Sequence, residues 1–430
     1  MAPRPLLEQT VRHLEKSARE VFSRASPVSR GSDSVTVEQF RAEWPKHKKR
    51  IARELADQCY LFSPMRSVVI AKDKSKRLSL QNARPISILT VADRVVQRAM
   101  LHALWTSIRD RVHTDWSFGG IRTYPVRNTA TTRMSHGPKS VRQAIGKIVA
   151  LQDRNQRHVF ETDIRDFYRN IDQDRLFERL ASTLPDESLH SLLRQAISTE
   201  LDGNANLGEF ANLWHDGTGI PQGSVLSPVL ANYYLYDFDK AMSDAGFSIV
   251  RYVDDLVVMC NSATEAHEAY EKVRTELATV GLEIHDLDAK DSRGRIKTRV
   301  CAPSDHFDFL GARIYRNTIQ PTPSKWDLLE KCLTEITDYR PGSESSLVDI
   351  VRRTNNTIQG WLASFAFCNF SSRDIESRID RPVRERLSGW LRLADIRADK
   401  NPLTNAQARV LGVASGASVP LSPIRPSRKR

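Results

Sequence analysis

Apolar side chains recur every three or four positions over long stretches of the chain, a spacing typical of helices that bury one face. The first such stretch runs from Leu6 to about Tyr60 and is broken by Ser, Gly and Pro residues near 26–34. Asp172 is a good N-cap for another helix, whose leucines share one face. Further helices are predicted over about 91–108, 140–151, 225–242, 263–280 and, nearly without a break, 321–394.

Short β-branched and aromatic runs predict the strands. SVVIAKDKSKRLSLQNARPISIL is typical of two strands flanking a basic turn, HVFETDI of a strand that ends near Asp163, and FDFLGARIY of a strand pair. In IVRYVDDLVVMC two such runs meet at Asp254 and Asp255, which predicts a hairpin with two carboxylates at its tip. Adjacent aspartates are also common in solvated turns, so the pair alone does not decide between the two interpretations.

Mixed helices and antiparallel strands predict an α+β fold, and a length of 430 residues predicts two or three lobes. Lys and Arg number 64 against 52 Asp and Glu, giving a net charge of +12 and a pI near 9.5. This balance favours a polyanionic partner, with nucleic acid as the first candidate. A merely soluble basic surface is the alternative.

Several other classes of protein are excluded by pattern. No apolar run approaches the roughly 20 residues that cross a bilayer, and the charged N-terminus lacks a signal-peptide core, so we expect a cytoplasmic protein with no membrane partner. The 5 cysteines include no C-x-x-C pair, and the 11 histidines include no H-E-x-x-H motif. Neither a zinc site nor a disulfide framework is therefore predicted.

The aspartates suggest a chemistry when they are taken together. If the strand that carries Asp163 lies beside the hairpin that carries Asp254 and Asp255, three carboxylates could hold two Mg²⁺ ions, which prefer oxygen ligands. That arrangement serves phosphoryl transfer. Without cations the crowded carboxylates would raise at least one pKa. By itself, Asp163 also fits a helix cap or a turn.

Between these elements lies GIPQGSVLSP, whose glycines and prolines bend the chain before a helix. Such a bend exposes backbone N–H groups and the Gln222 amide, against which a nucleotide could pack. Alone, a Gly/Pro loop is usually only a loop. In the order strand aspartate, PQG loop and DD hairpin, however, the motifs strongly resemble the palm of reverse transcriptases, specifically the bacterial lineage akin to group II intron reverse transcriptases.

The resemblance implies a right-hand polymerase, with fingers and palm built from an antiparallel sheet plus helices and with an α-helical thumb. RPISILTVADRVVQRAM resembles the fingers motif, in which Arg84 and Lys72 would contact the incoming triphosphate. SFGGI, beginning at Ser117, is similar to another family element, and the loop that follows looks inserted. GLEIHDLDAKDSR resembles the motif whose lysine lies near the leaving phosphate, which makes Lys290 a candidate general acid.

Position by position, the resemblance implies that Asp163, Asp254 and Asp255 bind the metal ions, with the Ile164 carbonyl completing the shell. Tyr168 matches the steric gate that selects deoxynucleotides, although it could also be a core aromatic beside Phe167. Gln222 would contact the nucleotide. The residues implied at the primer are Tyr252 and Val253 under its terminus, and Phe309, Leu310 and Gly311 in a primer grip that FDFLGARI resembles.

The resemblance also divides the chain. It implies a helical N-terminal extension over 1–60, fingers and palm over 61–320, a helical thumb over 321–398 that NNTIQGWLASF resembles, and a flexible basic tail over 399–430. Basic thumb residues would grip an A-form hybrid through its phosphates, although some must simply be solvated: Arg352, Arg353, Arg373, Arg378, Arg381, Arg384 and Arg386.

The chain ends soon after the thumb, which leaves no room for endonuclease, RNase H or integrase domains, and it lacks the VTG motif of retron enzymes. It therefore looks most like the stand-alone defence-associated reverse transcriptases. We expect an RNA-directed DNA polymerase that uses two Mg²⁺ ions, dNTPs, a DNA primer or product and an RNA template, a dedicated structured non-coding RNA. A maturase-like intron RNA-binding protein and untemplated DNA synthesis are the alternatives. Neither the priming mechanism nor the oligomeric state follows from the sequence.

Overall fold

The computed structural model describes residues 4–72, 77–120, 140–198, 200–202, 207–214, 217–291, 294–316, 318–338, 346–393, 401–413, 416 and 423. The chain forms two compact units, one of residues 1–144 with 160–300 and one of residues 145–159 with 301–430. The predicted inserted loop falls largely on 121–139, outside the described residues, as does nearly all of the tail beyond 416.

Helices contain many more residues than strands in the chain up to residue 244. They are α1 (Leu6–Arg24), α2 (Val37–Ala42), α3 (Trp44–Ala56), α4 (Val91–Val112), α5 (Val141–Asp153), α6 (Phe167–Asn170), α7 (Gln173–Thr183), α8 (His190–Ile197), α9 (Ser227–Tyr234) and α10 (Tyr236–Asp244), with short 3₁₀ turns at Leu80–Asn82 and Gly208–Leu213. The single helix predicted over 225–242 is wrong, because Leu235, at ψ 0°, ends α9 and starts α10. The change of direction leaves both Tyr234 and Phe238 buried.

The strands form three small sheets. The strands β1 (Arg66–Ala71) and β2 (Ala83–Ile88) make an antiparallel pair, as the sequence predicted. The second sheet has the order β4-β5-β3-β6, and the third is an antiparallel meander in the order β7-β8-β9. The bounds of these strands are β3 (His158–Asp163), β4 (Ser248–Tyr252), β5 (Asp255–Cys260), β6 (Arg299–Cys301), β7 (Phe307–Phe309), β8 (Ala312–Tyr315) and β9 (Thr318–Pro321).

Later helices follow the predicted pattern closely. They are α11 (Ala263–Thr279), α12 (Pro323–Thr337), α13 (Leu347–Ser364), α14 (Ser372–Ile375), a π-helical turn (Glu376–Asp380), α15 (Arg381–Leu393) and α16 (Asn405–Val410). The last of these lies in the predicted flexible tail, where Leu403 and Val413 are nevertheless buried. No helix among the described residues is both long and apolar enough to span a membrane.

Helix α4 is the centre of the larger core. It buries residues on every side, so its two buried polar side chains, Asp93 and Gln97, need partners. The Asp93 carboxylate accepts hydrogen bonds from the Tyr60 hydroxyl at 2.7 Å and from the Thr90 hydroxyl at 2.6 Å. The Gln97 carbonyl accepts one from the Ser224 hydroxyl at 2.7 Å. This last bond fixes the end of the PQG loop against the core.

The predicted α+β class is confirmed. The core of the second unit is built separately from the apolar faces of α12, α13 and α15, with Leu329, Ile358 and Leu387 among its buried residues. Burial of such a side chain contributes about 1.5–3 kcal/mol. Each unit therefore has its own hydrophobic core, and the three predicted acidic positions all lie in the first.

Candidate active site

A backbone hydrogen bond brings the predicted acidic positions together. Asp163 is the last residue of β3, and Asp254 and Asp255 lie where β4 turns into β5. Tyr252 faces Asp255 in the antiparallel register, so the turn consists of Val253 and Asp254 alone. The N–H of Ile164 donates to the carbonyl oxygen of Asp254 at 3.0 Å, which joins the end of β3 to the tip of the hairpin.

The hairpin carboxylates are half-buried and repel one another. Burial, followed by the charges of Asp254 and Asp163, raises the pKa of Asp255 to about 7. Burial is also the largest cause that raises the pKa of Asp254, and the charge of Asp163 adds to it. These are the causes expected when several carboxylates share one site of low dielectric. Such a cluster of carboxylates favours a bound proton or a nearby cation.

Asp163 has two carboxylate oxygens in different surroundings. Its Oδ2 accepts a hydrogen bond from the Lys297 ammonium, whereas its buried Oδ1 has no hydrogen-bond partner within the described residues. The Nε2 atom of His285 lies 3.6 Å from that oxygen. A buried carboxylate oxygen without a partner is costly, so Oδ1 is a site that a cation could occupy.

The donor chemistry suits a hard cation such as Mg²⁺, because all three acidic side chains offer oxygen. In the part of the chain that is described, however, no three His, Cys, Asp or Glu side chains already form a group that could hold a metal ion. Asp163 forms an ion pair with Lys297. The three carboxylates therefore fit a hard divalent cation by their donor chemistry.

A shallow pocket opens between the β2 strand, the segment after β3 and the PQG loop. It is lined by two of the predicted nucleotide contacts, Tyr168 and Gln222. Burial raises the pKa of the Tyr168 hydroxyl, and the charge of Asp254 adds to the effect. The tyrosine is therefore close enough to the hairpin to respond to its charge.

The PQG loop is held by its backbone on both sides. On one side the Ile220 N–H donates to the Tyr168 carbonyl at 2.8 Å, and on the other the Ser87 N–H donates to the Gln222 carbonyl at 2.7 Å. Gly223 has φ 121°, and a Cβ there would lie 2.4 Å from the Ser87 carbonyl oxygen. Only glycine satisfies both the backbone angle and this approach.

Comparison with known proteins identifies the family. A family model described as reverse transcriptase (RNA-dependent DNA polymerase) matches residues 70–314, more than half of the chain and all of the pocket and hairpin just described. The chain belongs to the reverse transcriptase family. Its right-hand fold class, predicted from the order of the motifs, is thereby confirmed.

Two curated relatives of this reverse transcriptase come from bacteria. The group II intron-encoded protein LtrA of Lactococcus lactis is 28% identical over 224 residues, which are 52% of this chain and 32% of the relative. Protein YkfC of Escherichia coli is 27% identical over 239 residues, 54% of each chain. The match thus spans from a third to about half of the relatives' length.

A chain of a partial Cas6-RT-Cas1–Cas2 complex aligns over 64% of this chain and 42% of its own, with 20% identity and a TM-score of 0.35.

The other predicted triphosphate contacts lie on the β1–β2 hairpin of this reverse transcriptase. Arg84 is exposed on β2, and its charge lowers the pKa of Asp254, against the larger effect of burial. Lys72 follows β1, with its ammonium 3.9 Å from an oxygen of Asp166. Arg84 therefore acts on a hairpin carboxylate, and Lys72 lies beside an aspartate three residues after Asp163.

Sequence reasoning missed Lys297. The resemblance implied that Lys290 is the lysine near the leaving phosphate. In the structure Lys290 is exposed, and among the described residues no hydrogen bond or ion pair joins it to the three aspartates. Lys297 contacts Asp163, and Arg299, two positions on, contacts Glu161. Lys297 and Arg299 are two positions apart, as are Glu161 and Asp163 on β3. This matching alternation of basic and acidic residues is the sequence signal that could have found Lys297.

Trp214 and Ser87 were also missed. The Trp214 indole N–H donates to the Ser87 hydroxyl at 3.1 Å, and both side chains line the pocket that contains Tyr168 and Gln222. The two residues are 127 positions apart, and no local pattern relates them.

The predicted primer-grip residues belong to the second unit. Phe309 ends β7 and is buried, and Leu310 and Gly311, with φ 52° and 80°, form the two-residue turn into β8. In the same unit several predicted thumb arginines already have protein partners: Arg352 with Asp349, Arg384 with Glu376 and Arg386 with Glu330, while Arg378 stacks on Trp326. Arg353, Arg373 and Arg381 are exposed.

Proposed function

We propose that this protein is an RNA-directed DNA polymerase whose reaction centre is formed by Asp163, Asp254 and Asp255. The observation that carries the proposal is the hydrogen bond from Ile164 to Asp254, since it brings a strand end and a hairpin tip, far apart in sequence, to one acidic site. Family membership and the net charge of +12 support a nucleic-acid substrate.

Residues around the acidic site would bind and orient the incoming nucleotide. Arg84 and Lys72 supply positive charge for the triphosphate, and Gln222 and Tyr168 line the pocket for its base and sugar. The Tyr168 ring would clash with a ribose 2′-hydroxyl and so select dNTPs. Tyr252 and Val253 would lie under the primer terminus, while Phe309, Leu310 and Gly311 would support the primer strand.

The cofactor of the proposal is a pair of Mg²⁺ ions held by Asp163, Asp254 and Asp255 together with the Ile164 carbonyl. When bound, such ions activate the attacking hydroxyl and neutralise charge on the leaving pyrophosphate. The raised pKa of Asp255 and the unpartnered oxygen of Asp163 support a demand for cations at this position.

The test is primer extension on an RNA template by the purified full chain. We expect Asp254→Asn with Asp255→Asn to reduce DNA synthesis by at least a thousandfold while the thermal unfolding temperature is kept or raised, because neutral amides remove the buried repulsion. Tyr60→Phe, which removes a buried hydrogen bond to Asp93 outside the site, is the control and should keep activity. Full extension by the double variant would overturn the proposal.

We further propose that the template is a dedicated structured non-coding RNA and that the DNA product acts in antiphage defence. The similarity to LtrA, a group II intron-encoded protein, supports a second candidate, a maturase-like intron RNA-binding role. Sequencing the RNA that co-purifies with the protein and the DNA that it makes separates these roles. A product complementary to the bound RNA supports templated synthesis, whereas intron RNA whose splicing survives Asp254→Asn with Asp255→Asn supports the maturase. A product with no complement in that RNA indicates untemplated synthesis.

A further inference from the structure

Arg251, which Tyr252 separates from the hairpin turn, is a fully buried charge. Its side chain is 0% exposed, and its partner, Asp239 of α10, is 1% exposed. The contact is bidentate, with Nε to Oδ1 at 2.8 Å and Nη2 to Oδ2 at 2.5 Å. Buried ion pairs often contribute no more stability than apolar residues of similar volume, because both charges lose their water. Stability alone is therefore a weak reason for this pair.

The remaining guanidinium nitrogen reaches the catalytic turn. Arg251 Nη1 donates to the carbonyl oxygen of Val253 at 2.8 Å and to Oδ1 of Asn232 at 2.9 Å. Val253 has φ 63°, a left-handed conformation that costs a β-branched residue on the order of 1–3 kcal/mol. The Arg251 bond therefore fixes the carbonyl of a strained residue that directly precedes Asp254.

Asn232, the second acceptor of the Arg251 Nη1 hydrogen bonds, is itself bonded to the segment around Gly119. Asn232 donates to the carbonyls of Gly119 at 2.8 Å and Pro228 at 2.9 Å, and its Oδ1 accepts from the Ser117 hydroxyl at 2.6 Å. A Cβ on Gly119 would lie 2.7 Å from the side chains of both Tyr252 and Val253. The hairpin thus packs directly on the 117–119 segment, and Arg251 links the two through Asn232.

We infer that Arg251 is a positioning residue, which sets the placement of Asp254 and Asp255 through the Val253 carbonyl. The inference rests on the proposed polymerase function and deepens it. Arg251 touches no reacting atom in this scheme. Its guanidinium holds the turn in the one strained conformation that keeps the Asp254 carbonyl on the Ile164 N–H and the two carboxylates beside Asp163.

The decisive variant replaces the whole pair, Arg251→Met with Asp239→Leu. If the ion pair has only a structural role, a double variant that folds with wild-type stability should also have wild-type activity. Positioning predicts a folded protein whose kcat falls about a hundredfold with a KM for dNTP within about threefold, because a misplacement near 1 Å has effects of that size. Activity within threefold of wild type in a double variant of wild-type stability would overturn the inference.

A second variant keeps the test decisive if the double variant does not fold. Arg251→Lys keeps a cation beside Asp239, but one ammonium group cannot replace the planar fork that also reaches Val253 and Asn232. We expect it to fold and to show the same loss of kcat at unchanged KM, and wild-type kcat would refute positioning. Tyr60→Phe controls for the loss of a buried hydrogen bond elsewhere. A wild-type protein that makes no DNA would reject the proposed function itself.

Discussion

At the scale of single residues, charge placement separates two lysines that the sequence alone cannot rank. Lys290 lies in the motif that resembles the family element, and Lys297 contacts Asp163. A proton donor must be within hydrogen-bond reach of the group that it serves, or one water away from it. Of the two lysines, only Lys297 is bonded to one of the three aspartates in the described structure.

Alanine at each lysine distinguishes them. We expect Lys297→Ala to lower kcat for nucleotide addition by about 10²–10³-fold, since it removes both a cation at Asp163 and a candidate proton donor. Lys290→Ala, a matched change of an exposed lysine, should alter kcat by less than threefold. The measurement is single-turnover dNTP incorporation as a function of pH. A larger loss for Lys290→Ala than for Lys297→Ala would reverse this assignment.

At the scale of elements, the site is made by segments that approach one another closely. Side chains of β6 and of the residues just before it meet those of β3 in antiparallel order, with Lys297 against Asp163 and Thr298 bonded to Thr162 at 2.7 Å. The PQG loop approaches β2 at Gly223 and Ser87. The loop and β2 therefore set the shape of the nucleotide pocket jointly.

Alanine at Gly223 tests that close approach. We expect Gly223→Ala to lower the free energy of unfolding by more than 3 kcal/mol, because left-handed strain of about 1–2 kcal/mol adds to a clash with the Ser87 carbonyl. Gly281→Ala is the matched control, since Gly281 also has a positive φ, 70°, but nothing lies within 4 Å of its Cβ position. It should cost only the strain. Equal losses in urea denaturation would show that the contact with β2 is unimportant.

At the scale of the whole molecule, the acidic site links stability to pH and to divalent cations. The pKa of Asp255 is about 7 in the fold against 3.8 in the unfolded chain. Between these values the unfolded state releases its proton first, so rising pH favours unfolding. The contribution of Asp255 to stability is therefore lost as pH rises from about 4 to about 7 and changes little above that.

Denaturant unfolding in a chelator measures this linkage. Between pH 5 and pH 8 the wild type should lose a few kcal/mol relative to Asp255→Asn, and Mg²⁺ should restore most of that difference. His102, whose pKa burial lowers to about 4, contributes equally to both proteins and cancels in the comparison. Parallel pH profiles for the two proteins, with no response to Mg²⁺, would contradict the predicted linkage.

Much of the fold followed from local patterns. The β1–β2 pair, the hairpin at Asp254 and the helix capped by Asp172 depend on residues that are close in sequence, so periodicity and turn chemistry predicted them. The break at Leu235 and the strand β9 were missed, although β9 pairs with the neighbouring strand β8. The site roles of Asp163, Asp254, Asp255, Tyr168 and Gln222 remain predictions.

By itself the sequence determined the family, the α+β class and the positions of the three aspartates, because strand ends and hairpin tips are encoded by neighbouring residues. The tertiary structure alone decided that Lys297 contacts Asp163, that Ser87 anchors Trp214 and that Arg251 supports the Val253 turn. The first two contacts join residues 134 and 127 positions apart. The third crosses only one residue but requires a buried guanidinium, and burial is a property of the assembled core.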